Sequence, residues 1–175
     1  LGLGNLVFRV YDESGDVNAG GGGGAPGPDL VTNGDFSAGA TGWTITSGSV
    51  SGGQATFTAG RGAYDPDTRT YEWIPGGVEQ VVTVVDAGAY TWGINVLAAS
   101  AAHPCQVLLL TSPGNLLVWS ALITSPGVYA LNVPNVVAGD YKLSIGSPSY
   151  DGGPAANMSI TFDDVKFFRA GTGTS

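Results

Sequence analysis

Charge is scarce in this sequence. Only 11% of its 175 residues are Asp, Glu, Lys or Arg, against about 25% in an average globular chain. Lys and Arg together number 6 against 14 acidic residues, a formal net charge of -8. A surface so short of cations cannot neutralise a phosphate backbone, so no nucleic-acid partner is expected. It also offers no polybasic patch to a membrane surface. Cysteine occurs once, at Cys105, so no internal disulfide can form. Histidine also occurs once, at His103, which excludes most catalytic triads and His-rich metal centres. Pro104 separates the two, and Cys105 reads as a small buried hydrophobe rather than a nucleophile. Ser112-Pro113-Gly114 splits the longest apolar stretch, 105–123, so no helix is expected to insert into a membrane. The chain opens on Leu1, from which upstream processing is expected, with no signal peptide left to read.

Glycine and proline are abundant instead: 29 and 10 residues, more backbone punctuation than helices tolerate. Between them lie segments rich in Val, Thr, Tyr and Trp with a period of two. In "AYTWGINVLA", Tyr90, Trp92, Ile94 and Val96 share one face and Thr91, Gly93 and Asn95 the other. In "DYKLSIG", Tyr141, Leu143 and Ile145 oppose Lys142 and Ser144. Turn signals bound strands expected at 30–36, 43–50, 54–59, 69–74, 78–85, 89–98, 105–111, 116–123, 128–133, 140–146 and 158–168. Many short strands at this spacing predict an all-β fold, an antiparallel β-sandwich or jelly roll.

The chain divides unevenly. Residues 1–19 hold one strand-like segment in which Leu6, Phe8 and Val10 alternate with Val7, Arg9 and Tyr11, apolar on both faces. Residues 20–29, "GGGGGAPGPD", read as a linker, because five glycines hold no regular structure unaided and two prolines stiffen the exit. Residues 30–169 read as one domain and 170–175 as a tail.

The order of motifs within 30–168 resembles the jelly-roll carbohydrate-binding modules of the galactose-binding-like superfamily. The opening Asn33-Gly34-Asp35-Phe36, the following Gly42-Trp43, the strand entries "AGAYTWGINV" and "AGDYKLSIG", and the closing "TFDDVKFF" all match that pattern in order. The resemblance implies that the first and last strands lie side by side. It also implies a structural Ca²⁺ there, with Asp35 and Asp163 or Asp164 as carboxylate donors. One departure stands out: the acidic residue the family places after the Phe is Ser37 here.

Sugar rings stack on exposed aromatic faces flanked by polar side chains. The densest candidate stretch is "RGAYDPDTRTYEWIPGG", with Tyr64, Arg69, Tyr71 and Trp73, and Tyr150 lies on a later loop. Asp65, Asp67 and Glu72 share that stretch, but "DPD" reads as a turn rather than as a pair of catalytic carboxylates. Trp43, Trp92 and Tyr90 read as core residues, and Trp119 as core or subunit interface.

The expected protein is therefore non-enzymatic. It is a surface or structural subunit of a virion, of decoration or tail-fibre type, or of an extracellular filament. An N-terminal arm (Leu6, Phe8, Val10 and Tyr11) would anchor it to copies of itself or to other subunits, by adding a strand to a neighbour's sheet. The jelly roll would be displayed toward a cell-surface glycan. The alternative is a free-standing secreted glycan-binding module that targets a partner to polysaccharide.

Overall fold

The computed structural model describes residues 25–99, 102–148 and 158–171. The expected arm, the first part of the linker and Tyr150 lie outside the described residues. Among the described residues, eleven strands form two antiparallel sheets. They are β1 (Thr44–Thr46), β2 (Gly48–Ser51), β3 (Gln54–Asp65), β4 (Thr70–Ile74), β5 (Gly77–Val84), β6 (Gly88–Ala98), β7 (Cys105–Thr111), β8 (Leu117–Ile123), β9 (Gly127–Val136), β10 (Gly139–Gly146) and β11 (Met158–Arg169). One sheet has the order β1-β5-β10-β7-β8 and the other β2-β3-β11-β6-β9, with β4 paired only to β3. The period of two in the sequence is what makes this a sandwich: every second residue points inward. Trp92, Ile94 and Val96 of β6, Leu109 of β7, Leu143 and Ile145 of β10, and Phe162 of β11 are all buried between the sheets. Each such side chain contributes roughly 1.5–3 kcal/mol by leaving water.

The strand entries follow one chemical rule. Gly88, Gly127 and Gly139 have φ values of 157°, 155° and 153°, a region that side chains disfavour. Two residues after each glycine stands a tyrosine whose hydroxyl donates to the carbonyl four residues upstream. Tyr90 reaches Asp86 O at 2.8 Å, Tyr129 reaches Ser125 O at 2.8 Å, and Tyr141 reaches Val137 O at 3.0 Å. The glycine turns the chain and the tyrosine locks the turn, as in the tyrosine corners of other sandwiches.

Two expected strands are corrected. Residues 30–36 are not a strand. Asn33 and Phe36 have φ of 54° and 51°, which an extended ladder does not allow. The segment runs instead as an irregular strip beside the last strand. Gly27 N donates to Arg169 O at 3.0 Å, Leu30 N to Phe167 O at 2.8 Å, and Val165 N to Gly34 O at 2.9 Å. Asp29 forms an isolated bridge with Phe168. The strip occupies the place beside β11 that β3 leaves beyond Phe162. Chain start and chain end are thus adjacent, and the pairing begins inside the expected linker. The expected strand 43–50 is divided at Ser47, whose φ is 52°. Its first part pairs with β5 in one sheet and its second with β3 in the other.

Candidate functional site

The opening loop is built around Asn33. Its Nδ2 donates to Gly39 O (2.9 Å) and Thr41 O (3.0 Å), and its Oδ1 accepts from Ala38 N (2.9 Å). Its carbonyl accepts from Trp43 Nε1 at 3.0 Å. These bonds fold the loop so that Phe36 and Trp43 meet, ring centroids 5.3 Å apart, with Phe36 edge-on to Phe162 at 5.7 Å. Gln80, buried on the inward face of β5, holds the loop from the other sheet. Its amide donates to Thr32 O (2.9 Å) and Gly42 O (3.1 Å) and accepts from Thr32 N (2.8 Å). The stretch that resembles a carbohydrate-binding-module signature is therefore scaffold: it closes one side of the sandwich.

The three carboxylates of the expected calcium site lie around this scaffold. Asp35 is exposed and accepts from Ser37 N (3.2 Å) and Ser37 Oγ (3.0 Å). Those bonds hold its carboxyl below the usual carboxylate range. Ser37, which stands where the family has an acidic residue, is here a hydrogen-bond donor to Asp35. Asp163 is partly buried, and burial raises its carboxyl; the charges of Asp164 and Asp35 raise it further. Asp164 pairs with Lys166 at 3.4 Å. Among the described residues, no group of three or more His, Cys, Asp or Glu side chains is placed to hold a metal ion. The carboxylates alone do not make a cation cage.

The aromatic stretch expected to meet sugar forms a ribbon, β3 and β4, that leaves the main sheet. Gly60 pairs with Ile74, Arg61 with Trp73, Tyr64 with Tyr71 and Asp65 with Thr70, with a bulge between Arg61 and Tyr64. Tyr64 is 51% exposed. Arg69 is exposed in the tip turn, at φ 57°. The structure brings the backbone positions of Tyr64, Tyr71 and Trp73 onto one ribbon, because β3 runs on to Asp65 rather than stopping at 59 as expected; the side chains of Tyr71 and Trp73 lie outside the described residues. Asp65 Oδ1 accepts from Asp67 N (2.8 Å) and Thr68 N (3.4 Å). This is the chemistry of an Asx turn, and these bonds hold the Asp65 carboxyl below its ordinary range.

The ribbon extends β3 of the second sheet, whose outer face no sequence motif had marked. Strand register places Ser49 beside Thr56, Thr56 beside Thr161, and Asp163 beside Asn95 on that face. The hydroxyls of Thr56 and Thr161 are 3.0 Å apart. Thr91 and Asn132 are register partners farther along. The result is a hydroxyl- and amide-rich shelf beside an aromatic ribbon, an arrangement suited to hydrogen-bonding and stacking on a neutral polyhydroxylated ligand.

No family model matches the sequence, and no curated protein matches it. Solved structures do match in shape. A family 61 carbohydrate-binding module in complex with β-1,4-galactotriose is 13% identical, with a TM-score of 0.49 over 82% of this chain and 99% of that one. A family 4 carbohydrate-binding module is 20% identical, with a TM-score of 0.47 over 78% of this chain and 82% of that one. The enzymatically active domain of tailspike protein 4 of bacteriophage CBA120 is 15% identical, with a TM-score of 0.46 over 79% of this chain and 21% of that one. The chain is thus similar in fold to carbohydrate-binding modules.

Proposed function

We propose that this protein is a non-catalytic glycan-binding module. The observation that carries the reading is the Tyr64-bearing ribbon set beside a shelf of hydroxyls and amides on which Asp163 and Lys166 are the charged side chains. Aromatic rings supply the stacking face and the shelf supplies donors and acceptors in both directions, so a neutral sugar needs no charged partner. The carboxylates most open to a catalytic reading, Asp65 and Asp67, form a surface turn. Affinity electrophoresis through gels containing neutral polysaccharides tests the proposal. Retardation in at least one gel is expected, reduced by Tyr64→Ala and by Trp73→Ala. Equal mobility in every gel, with and without polysaccharide, would overturn it.

We further propose, from the sequence, that the module is displayed outside the cell on a virion or filament, with residues 1–19 anchoring it to other subunits or copies. The alternative, a free secreted module, shares the same binding face. Deleting residues 1–24 separates the two: loss of incorporation into the particle supports the anchored form, and unchanged incorporation removes it. Calcium is a separate proposal. A divalent cation bound by Asp35, Asp163 and backbone carbonyls would relieve the repulsion between the two carboxylates. Calcium titration monitored by thermal unfolding should then raise the midpoint, and a midpoint unmoved at millimolar Ca²⁺ discards the ion.

A further inference from the structure

The two open sides of the sandwich are finished differently. On one side, residues 27–43 cover the core: Phe36 and Trp43 are buried, and on the edge strands there Ile45 of β1 and Val50 of β2 are intermediate in exposure. On the other side lie the edge strands β8 and β9, where Ile123, Val133 and Val136 are buried but four other inward-pointing residues are only half covered. Trp119 and Ala121 of β8 and Tyr129 and Leu131 of β9 are intermediate in exposure, whereas Leu109 and Trp92 on the adjoining strands are buried. Trp119 stacks on Trp92 at 6.2 Å with part of its ring open to solvent.

Among the described residues β8 has no partner beyond β7. Proteins guard such edges with charge, proline or brevity. The edge strands β1 and β2 have 3 and 4 residues, and β9 carries Pro134. β8 has 7 residues, "LVWSALI", with no charge, glycine or proline. Leu117 and Leu122 are exposed on it at 61% and 57%. An edge of this kind is built to be covered.

We propose that residues 5–11 of the same chain add to β8 as an antiparallel strand, with Leu6 and Phe8 closing the core over Ala121 and Trp119. The proposal rests on reading residues 1–19 as a strand-forming arm, and it names where that arm rests in the free subunit, before any exchange onto a neighbour. Three features support it. The segment "NLVFRVY" equals β8 in length and is apolar on both faces. Of its two faces, Leu6, Phe8 and Val10 is the one without charge; Arg9 belongs on the solvent side, so the period of two sets which residues face the core. The chain also leaves the described domain in the right place. Ala25 and Gly27 lie beside Val85, Asp86, Tyr90 and Arg169. That is the end where β5 closes onto Gly139, and where Leu117 of β8 pairs with Leu110. The path from there to the far side of β8 crosses a few strand spacings and one sheet spacing, about 30 Å. Residues 12–24 extend to roughly 43 Å. A strand that leaves toward that end, with Tyr11 nearest Leu117, runs opposite to β8. The same contact made between copies is strand exchange, a low-cost route from a closed subunit to an assembly.

The full-length chain tests this in two ways. Hydrogen exchange of the β8 amides that do not bond to β7 should be about tenfold or more slower in the native protein than in Leu6→Asp with Phe8→Asp. Val7→Cys with Ser120→Cys places two thiols opposite each other on the outer face, with Cys105 buried and out of reach. Mild oxidation should link them within one chain, giving a monomer by mass. Exchange that is unaffected by the Asp substitutions overturns the proposal, and so does a link formed only between chains. Neither readout involves glycan or particle assembly, so a failed glycan assay or a failed incorporation assay leaves this result standing, and the reverse.

Discussion

Replacing Gln80 with leucine should unfasten the opening loop from β5. Gln80 is 5% exposed and makes three hydrogen bonds of 2.8–3.1 Å, all to main-chain groups of Thr32 and Gly42. Leucine fills much the same volume but satisfies none of them. A typical hydrogen bond is worth about 1 kcal/mol net, and a buried group left without a partner costs more. The expected loss is therefore about 3 kcal/mol. In a domain of this size that lowers the unfolding midpoint by roughly 6–12 °C. Denaturant unfolding should show a lower midpoint concentration with an unchanged slope, because the surface exposed on unfolding is the same. Gln80→Glu supplies a control with its own signature. The carboxylate keeps the acceptor for Thr32 N but faces two carbonyl oxygens that it cannot donate to. Its pKa should rise, and the variant should recover stability as pH falls and the protonated acid donates to one of them. A loss below about 1 kcal/mol for the leucine variant would refute the reasoning. The loop would then be held by Phe36, Trp43 and the Gly34–Val165 bond without the help of Gln80.

Three further outcomes are expected. Gly34→Ala should be severely destabilising, since a Cβ there would lie 1.9 Å from Val165 O; thermal unfolding of the purified variant, or its failure to accumulate in soluble form, measures this. Tyr141→Phe should cost about 1 kcal/mol, the value of its bond to Val137 O, read by denaturant unfolding, and the effect should add to that of Tyr129→Phe because the two corners are separate. For pH dependence the signs differ between sites. Burial raises the carboxyls of Asp29 and Asp163, so the folded state takes up those protons first and stability rises as pH falls through their folded pKa values. Asp35 and Asp65 are held low, so their contribution is lost as pH falls below the unfolded value of about 3.8 toward their folded values. A melting-temperature profile should therefore climb modestly before it drops, and Asp29→Asn should flatten the climb.

Most strands were legible because a half-buried strand writes its own pattern. Tyr90, Trp92, Ile94 and Val96 alternate cleanly, and β6 lies where they predict. The failure at 30–36 has a local cause. Asn33 bonds its side chain to three main-chain groups of the following loop, and this competes with a ladder. Propensity for strand in Leu30 and Val31 could not reveal that. Gln80 was visible as the one polar residue among the inward positions Val78, Val82 and Val84, but its partners are 48 and 38 positions away. Tyr129 follows the same Gly-x-Tyr spacing as Tyr90 and Tyr141, so its corner is legible in the repeat. The proposed binding face was only half legible. The ribbon aromatics cluster in sequence, whereas Thr56, Thr161 and Asn95 come together only through strand register.

The contrast between the two sides of the sandwich gives the sequence order a physical meaning. A sandwich buries its inward residues only where both sides are stopped. Residues 27–43 stop one side, using one buried glutamine and a pair of aromatic rings. The other side ends on Trp119 and Leu131, half covered, beneath an edge with no charge to repel a strand. The proposed glycan-binding surface would have no use for an open aliphatic edge, and the ribbon and shelf lie elsewhere. The economical reading gives the two features separate tasks: the shelf with the Tyr64 ribbon meets sugar, and the β8 edge meets the strand that the first residues of this chain spell out. Disrupting the edge should then leave sugar binding intact, while Tyr64→Ala should leave the exchange of the β8 amides unchanged. If either substitution moved both readouts together, the separation of tasks would be wrong.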